Sequence, residues 1–124
     1  LQGDVTQALA LYREHLEAAL ADGLAWQEGS FRADMAWCLA TQGQVDEARG
    51  CVQAAARALE RGDADADDRA CAHARLAATL ARLGDSAAAE AHHRRAREAL
   101  AEHRRLQAEV MALHDRDIRP LLAA

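Results

Sequence analysis

The apolar residues of this 124-residue chain recur at three- and four-residue intervals over long stretches. Such spacing places them on one face of an α-helix, whereas a half-buried strand would need strict alternation. Between the turn signals the pattern predicts five helices, with bounds near 4–22, 25–42, 45–61, 68–83 and 86–118. The last helix is expected to end just before Pro120, because the residue before a proline is pushed out of the α region.

Three of these helices carry an apolar stripe that we expect to face the core. The stripes consist of Val5, Ala8, Tyr12 and Ala19 in the first helix, Val45, Ala48, Val52, Ala55 and Leu59 in the third, and Cys71, Ala74, Ala77, Leu80 and Ala81 in the fourth. Cys38, Cys51 and Cys71 lie in mid-helix among Ala and Leu residues. We expect them to be reduced core thiols, since their odd number and their spacing fit neither a disulfide framework nor a zinc site.

Two short motifs repeat along the chain with a period close to 40 residues. A glycine before a new helix occurs at Gly3, Gly43 and Gly84, which are 40 and 41 residues apart. The motif Ala-Leu-x-x-Gly ends at Gly23 and again 39 residues later at Gly62, and its third copy ends in His103. Two independent motifs that keep one period indicate a tandem repeat.

Each repeat unit is predicted to be a helical hairpin. Gly43 and Gly84 follow apolar helical runs and suit a left-handed C-terminal cap, where a residue without Cβ meets no steric penalty. Asp4 and Asp85 directly follow the repeated glycine, and their carboxylates can accept hydrogen bonds from the free N–H groups of the next helix. Where His103 replaces the glycine, we expect the last helix to continue.

Composition supports an all-α chain and narrows the classes of partner. Alanine is the commonest residue, whereas aromatic residues, which strands favour, amount to 3%. All 15 basic residues are Arg, and Lys and Asn are absent, which indicates a GC-rich bacterial source. The net charge of −5 gives no electrostatic attraction to nucleic acid, and no apolar run approaches the roughly 18 residues that cross a bilayer. We expect a cytoplasmic protein without a nucleic-acid or membrane partner.

The residues around the repeated turns resemble the tetratricopeptide repeat family, in the long-period type of kinesin light chains and bacterial regulators. The resemblance rests on Met35-Ala36, Leu39, Gly43, Glu47-Ala48, Val52 and Ala55 in one unit and on Leu76-Ala77, Leu80, Gly84-Asp85, Ala89 and Ala96 in the next. The family implies antiparallel helical hairpins stacked as a right-handed superhelix, here with a long C-terminal helix. It also implies a single domain over 1–124, made of a half repeat (1–23), two repeats (24–62 and 63–103) and an extension of the last helix (104–119).

The same resemblance implies a peptide-binding groove, because the first helix of each hairpin lines the concave surface in this family. The residues placed there are Ala33, Trp37, Ala40 and Thr41 from the second helix and Ala74, Arg75, Ala78 and Arg82 from the fourth. Trp37 beside Arg75 and Arg82 would give an aromatic anchor next to guanidinium groups that suit a carboxylate-bearing peptide. Alternatively, Trp37 belongs to the core and the arginines pair with surface carboxylates. The Asn residues with which chaperone-binding members hold a C-terminal carboxylate are absent, since Trp37 and Ala78 occupy those places.

The distal half of the fifth helix carries Leu106, Val110 and Leu113 at four- and three-residue spacing. These three residues, the α5 seam, form a narrow apolar line that needs a partner. Three interpretations remain open. The seam folds back as a cap on the repeat, pairs with a second copy in a homodimer, or continues as a connector into a following domain.

The acidic run 63–68 has the alternating aspartates of a calcium loop but not its other ligands. An EF-hand loop needs a glycine at its sixth position and a glutamate at its twelfth, and here Asp68 and Ala74 stand there. We expect solvated turn residues, with Asp67 or Asp68 capping the fourth helix.

Three histidines of the fifth helix share one stripe but do not converge. His92, His103 and His114 are 11 residues apart, about 16 Å along the helix axis, which is too far for one metal ion. Adjacent His92 and His93 diverge by about 100°. We therefore expect surface or half-buried histidines and no metal site.

No motif for catalysis is present: the chain lacks G-x-S-x-G, a P-loop and G-x-G-x-x-G. We therefore expect no catalytic residue and no cofactor. The predicted function is a non-enzymatic protein–protein interaction or scaffolding module, the regulatory fragment of a larger bacterial protein, with a protein or peptide as partner. The alternative is a sensory domain that responds to a peptide or small molecule and controls a fused DNA-binding or signalling domain.

Overall fold

The structure is a computed structural model that describes the backbone of residues 2–123 and, except at Gln2, their side chains. All regular structure in this range is helical, so the all-α prediction is confirmed. The helices are α1 (Gln2–Ala21), α2 (Glu28–Thr41), α3 (Val45–Glu60), α4 (Ala66–Arg82), α5 (Ser86–Leu113) and α6 (Arg119–Ala123). A 3-10 turn (Ala25–Gln27) precedes α2, and a π-helical turn (His114–Ile118) joins α5 to α6. None of these helices has both the length and the apolar character that crossing a membrane requires.

Equivalent glycine turns close the hairpins α2–α3 and α4–α5. Gly43 and Gly84 have φ values of 79° and 85°, the left-handed conformation that a side chain would strain. The residue after Gly43 donates its N–H to the carbonyl of Leu39, and the residue after Gly84 donates to that of Leu80, both at 2.9 Å. This six-to-one bond is the Schellman motif, which satisfies the last carbonyls of a helix. The predicted C-terminal caps are confirmed.

The second motif also marks equivalent places, but the first copy of the glycine motif does not. Gly23 and Gly62 follow α1 and α3 with φ values of 78° and 74°. Gly3, in contrast, lies inside α1, and Asp4 lies in its first turn. The predicted turn and cap at these two residues are wrong, because α1 already includes the residue before them. The carboxylate of Asp4 instead lies near the positive end of the helix dipole, where a negative charge stabilises the helix. His103 continues α5, as predicted.

The helices pack in a regular order: α1 contacts α2, α2 contacts both α3 and α4, and α4 contacts α5. One core cluster lies between the two hairpins and consists of Ala33, Ala36, Val52, Ala55, Leu59, Ala72, Leu76, Leu80 and Ala89. A second cluster joins α1 to the first hairpin and consists of Leu9, Leu16, Met35, Cys38, Leu39, Ala40 and Ala48. The many alanines let the helix axes come close together, while a few leucines fill the remaining volume.

The buried face of α4 differs from the predicted one. Cys71, Ala74 and Ala81 are exposed, and the buried residues are Ala66, Ala72, His73, Leu76, Ala77, Thr79 and Leu80. The predicted stripe is wrong at these three residues and right at Ala77 and Leu80. The error arises because alanines lie on the exposed face of α4 as well as on the buried face, so the bulky leucines distinguish the faces better than the alanines do. In α3, Val45 is also exposed, since it lies at the first residue of the helix.

The helical conformation continues past Pro120, so the predicted end of the last helix near residue 118 is wrong. Proline has no N–H to donate, and in a regular α-helix its ring would clash with the carbonyl four residues earlier. The π-helical turn removes this conflict: the N–H of Arg119 donates to the carbonyl of His114, five residues back. α6 follows directly and contains Pro120 in its first turn.

Candidate functional site

Three of the predicted groove residues meet on an exposed face made by α2 and α4. Trp37 is half-buried on α2, and the guanidinium carbons of Arg75 and Arg82 each lie 5.7 Å from the centre of its ring. This distance is within the range of about 6 Å in which an aromatic face attracts a cation. We call these three residues the Trp37 surface. Its role in binding stays a prediction.

The two helices set this arrangement through their register. Arg75 and Arg82 are two helical turns apart on one face of α4, and α4 packs against α2, so both side chains reach the same indole. Arg75 also pairs with Asp34 of α2, its Nε lying 3.4 Å from Oδ1. Arg82 makes no ion pair with a carboxylate among residues 2–123, so no described carboxylate neutralises the positive charge of its guanidinium.

A polar network continues from Arg75 toward α1. Asp34 is half-buried, and burial raises the pKa of its carboxyl, an effect that Arg75 and a hydrogen bond from the Tyr12 hydroxyl partly offset. Burial and the neighbouring Asp34 likewise raise the pKa of the buried Cys38 thiol. The network ties α1, α2 and α4 together beneath the Trp37 surface, and it holds Cys38 as an unreactive thiol.

The other predicted groove residues divide into exposed and buried ones. Thr41 and Ala78 are exposed, and the Thr41 hydroxyl donates to the carbonyl of Trp37 at 2.8 Å. Ala33 and Ala40 belong to the two core clusters, so their placement in the groove is wrong. They lie on the faces of α2 that meet α3, α4 and α1, whereas Trp37 lies on the face between α4 and solvent.

The α5 seam remains uncovered by the described part of the chain. Leu106, Val110 and Leu113 are 44%, 63% and 49% exposed. The interpretation as a cap folded back on the repeat is therefore wrong, while the homodimer and the connector stay predictions. Further exposed apolar residues follow the seam, namely Met111, Ile118, Leu121 and Leu122.

The acidic run before α4 forms a cluster of carboxylates. Ligand oxygens of Asp65, Asp67 and Asp68 all lie within 4.8 Å of one another. The N-terminal cap position of α4 is Asp65, and its side chain makes no capping hydrogen bond. Asp67 and Asp68 already lie in the first helical turn, so the prediction that one of them caps α4 is wrong. Burial and the two neighbouring carboxylates raise the pKa of Asp68.

The cysteines differ in burial more than the sequence suggested. Cys38 is buried and Cys51 half-buried, but Cys71 is exposed on the solvent face of α4, so the prediction of a core thiol there is wrong. Burial raises the pKa of the Cys51 thiol, which keeps it protonated at neutral pH.

Two histidines form a buried pair, so the prediction that His92 is a surface or half-buried residue is wrong. His73 of α4 and His92 of α5 are 7% and 8% exposed, and their Nδ1 atoms lie 2.9 Å apart. Burial, His92 and two nearby arginines lower the pKa of His73 to about 4, and burial and Arg95 lower that of His92. The pair could have been found by assigning the α4 core to Leu76 and Leu80, because His73 then falls on the buried face.

Similarity to known proteins does not identify a family: no protein-family model, no curated protein and no solved structure matches this chain. The tetratricopeptide resemblance therefore stays a prediction from the repeated motifs. The function of the chain therefore has to be inferred from its own surfaces. One of them is the Trp37 surface, whose three residues were predicted from the sequence to lie together and do so in the structure.

Proposed function

We propose that this chain is a non-enzymatic protein-interaction module of tetratricopeptide type that binds an acidic peptide segment at the Trp37 surface. The observation that carries the proposal is the position of the Trp37 ring, 5.7 Å from both guanidinium groups on the face between α2 and α4. A half-buried aromatic ring beside two guanidinium groups can contact an apolar side chain of a ligand while the guanidinium groups pair with its carboxylates.

The packing of the helices supports the repeat interpretation. In a stack of hairpins, the first helix of one unit contacts the first helix of the next, and α2 contacts α4 in this way. The hairpins α2–α3 and α4–α5 close through the same six-to-one turn at Gly43 and Gly84. Successive units of such a repeat present their first helices side by side, which favours an extended binding face.

Charge and rigidity favour a carboxylate-bearing ligand. Arg82 is free of ion pairs with described carboxylates, and its contact with the indole orders the guanidinium before a ligand arrives. A preordered side chain loses less conformational entropy on binding. Arg75 is held by Asp34 as well as by Trp37, so it provides a second, fixed cation.

The thiols support a non-enzymatic role. Both Cys38 and Cys51 have pKa values raised by burial, the opposite of what activates a nucleophilic cysteine. As part of the same proposal, the chain is a regulatory portion of a larger bacterial protein, and the exposed α5 seam is where it continues to a neighbouring domain or pairs with a second copy.

The proposal is tested with Trp37 as its own reporter. In a Trp26→Phe background, which leaves Trp37 as the single indole, the fluorescence is titrated with a set of Asp- and Glu-rich peptides and with the same peptides carrying Asn and Gln. We expect only the acidic peptides to bind. Arg82→Gln should weaken binding on the order of tenfold, as loss of one charge-assisted hydrogen bond does.

The matched control is Arg57→Gln, which removes an exposed arginine of α3 outside the Trp37 surface. Equal binding of acidic and neutral peptides, or equal losses in the two arginine variants, would contradict the proposal. Binding of a free dicarboxylate such as succinate without any peptide would favour the sensory alternative.

A further inference from the structure

A small cavity with two aromatic rings and a carboxylate in its lining lies at the start of α2. It has a volume of about 240 Å³ and is lined by Trp26 and Gln27 of the 3-10 turn, Ser30 and Phe31 of α2, and Asp68 of α4. We call it the Trp26 cavity. Trp26 is 39% exposed and Asp68 is half-buried, so an aromatic surface that solvent reaches lies beside a carboxylate partly shielded from water.

The aromatic side of this cavity is held in place by α1. The ring of Tyr12 lies 6.2 Å from that of Phe31, inclined by 60°, and the imidazole of His15 stacks on the same ring with centres 6.5 Å apart. Phe31 therefore has its position fixed before any ligand arrives. A preorganised ring loses little conformational entropy on binding.

The carboxylate side of the cavity carries negative charge that the fold does not balance. Carboxylate oxygens of Asp65, Asp67 and Asp68 lie within 4.8 Å of one another. Within the described range 2–123, none of the three forms an ion pair with an arginine or a histidine. The two arginines that flank the acidic run, Arg61 and Arg69, form their closest ion pairs with glutamates of α2 and α5.

Helix dipoles reduce this negative charge without cancelling it. The N-terminus of a helix carries about half a positive elementary charge, and both α2 and α4 begin beside the cavity. The two ends together offset about one of the three carboxylate charges. Burial and the two neighbouring carboxylates raise the pKa of Asp68, as expected where like charges repel each other. A cation in the cavity would relieve this repulsion.

An arginine side chain of a ligand matches both sides of the cavity. The guanidinium group is planar, so it can lie against an aromatic face while its N–H groups donate to a carboxylate. Ca²⁺, in contrast, takes about six to eight oxygen ligands, and the two rings provide none. The lining therefore favours a guanidinium over a metal ion.

The Trp26 cavity lies on the same face of α2 as the Trp37 surface. Ser30 and Trp37 are seven residues apart, which is close to two helical turns and about 10 Å along the axis. An extended peptide advances about 3.3 Å per residue, so about three residues span this distance. One peptide can therefore reach both places.

We propose that the Trp26 cavity binds an arginine side chain of the peptide whose acidic residues lie on the Trp37 surface. The ligand thus carries both charges, with its arginine about three residues from an acidic residue. This inference rests on the proposed function for the acidic part of the peptide, whereas the recognition of arginine depends on the cavity alone.

The test follows the indole N–H signals in the NMR spectrum of the unmodified chain, which has two tryptophans. The spectrum of Trp26→Phe shows which signal is which. Three peptides are titrated: an acidic one, a neutral one with a single arginine, and an acidic one with an arginine three residues from a carboxylate. We expect the first to shift the Trp37 signal, the second the Trp26 signal, and the third both.

The two signals separate the two proposals. An acidic peptide that leaves the Trp37 signal unchanged would count against the proposed function, while the arginine peptides still decide the role of the cavity. Arginine peptides that leave the Trp26 signal unchanged would overturn the inference about the cavity, whatever happens at Trp37.

Calorimetry then compares the combined peptide with one in which citrulline replaces arginine, since citrulline has nearly the same shape but no charge. The arginine peptide should bind more tightly on the order of tenfold. Asp68→Asn should remove most of this difference. Asp46→Asn is the matched control, because it removes the same charge from the first turn of α3, outside the cavity. Circular dichroism verifies that both variants fold. Equal affinities for the two peptides, or equal effects of the two variants, would contradict the proposal.

Discussion

Gly29 of α2 lies directly against the side chain of Leu59 of α3. A Cβ atom at Gly29 would come within 2.6 Å of Cδ2 and 2.8 Å of Cγ of that leucine. Both residues are buried, so the leucine cannot simply turn into solvent. The first turn of α2 and the last turn of α3 thus approach each other as closely as they do only because position 29 has no side chain.

Gly29→Ala is expected to lower the free energy of unfolding by about 1–2 kcal/mol, because the new methyl group forces Leu59 or a helix to move. The loss should appear although alanine has a helix propensity about 1 kcal/mol better than glycine. Urea denaturation followed by circular dichroism measures it. Gly50→Ala is the control: no atom lies within 4 Å of a Cβ at that position in α3. There the propensity gain is unopposed, and stability should rise by about 0.5–1 kcal/mol. Equal gains in both variants would contradict the close packing of α2 on α3.

Stability should depend on pH through His73. Its pKa is about 4 in the folded chain against 6.5 for an unperturbed histidine. Below pH 6.5 the unfolded chain therefore takes up a proton that the folded chain does not bind until about pH 4, so stability falls as the pH is lowered through this range. Over this pH range, the loss in the free energy of unfolding that is due to His73 is at most about 3 kcal/mol.

This pH dependence is measured by urea denaturation between pH 7.5 and 4.5 in the presence of a chelator. His73→Phe should flatten the profile, whereas the exposed His93→Gln should leave it unchanged. An unaltered profile in His73→Phe would show that other groups cause the effect.

Asp65 and Asp85 hold the N-cap positions of α4 and α5, but their replacement should destabilise the fold to different extents. The Asp85 carboxylate accepts a hydrogen bond from the Ala88 N–H at 3.2 Å and so caps α5. Asp85→Ala should therefore lower the unfolding free energy by about 1 kcal/mol. Asp65 has the same position before α4 but makes no capping bond, so Asp65→Ala should cost less than about 0.5 kcal/mol. Thermal denaturation of the two variants provides the comparison, and equal losses would argue against the cap at Asp85.

Two leucines test which apolar residues form the core. Leu76 is fully buried between the hairpins, and Leu76→Ala should lower stability by about 2–5 kcal/mol. Leu113 belongs to the exposed α5 seam, and Leu113→Ala should change stability by no more than about 0.5 kcal/mol in the monomer. Denaturation is followed at a concentration where ultracentrifugation finds monomers. A loss at Leu113 that grows with protein concentration would show that the seam is buried between two copies.

The turns of this fold were predictable because they depend on single residues. Gly43 and Gly84 each end a helical run, and the left-handed conformation they adopt is one that few other residues accept. Faces were harder to predict. In α4, alanines lie on the exposed face as well as on the buried face, so hydrophobic spacing alone did not separate the two faces; the two leucines were the better indicator.

The Trp37 surface was predictable and the histidine pair was not, because each depends on which faces of two helices meet. The placement of Trp37, Arg75 and Arg82 followed from the family resemblance, which specifies the helix faces that meet. The contact of His73 with His92 depends on how α4 turns toward α5, and the wrong choice of stripe turned His73 away from it. The helix continuing past Pro120 was missed because a π-helical turn has no local sequence signal.

That π-helical turn has a consequence for the final residues. A bond that spans five residues instead of four takes up one extra residue, so each later side chain has the angular phase that its predecessor would have in an unbroken α-helix. Without this shift, the line of the α5 seam would run on to Asp117 and Pro120. With it, the line runs on to Ile118 and Leu121, which are exposed. One inserted residue thus keeps the exposed apolar residues on a single continuous line from the distal half of α5 into α6.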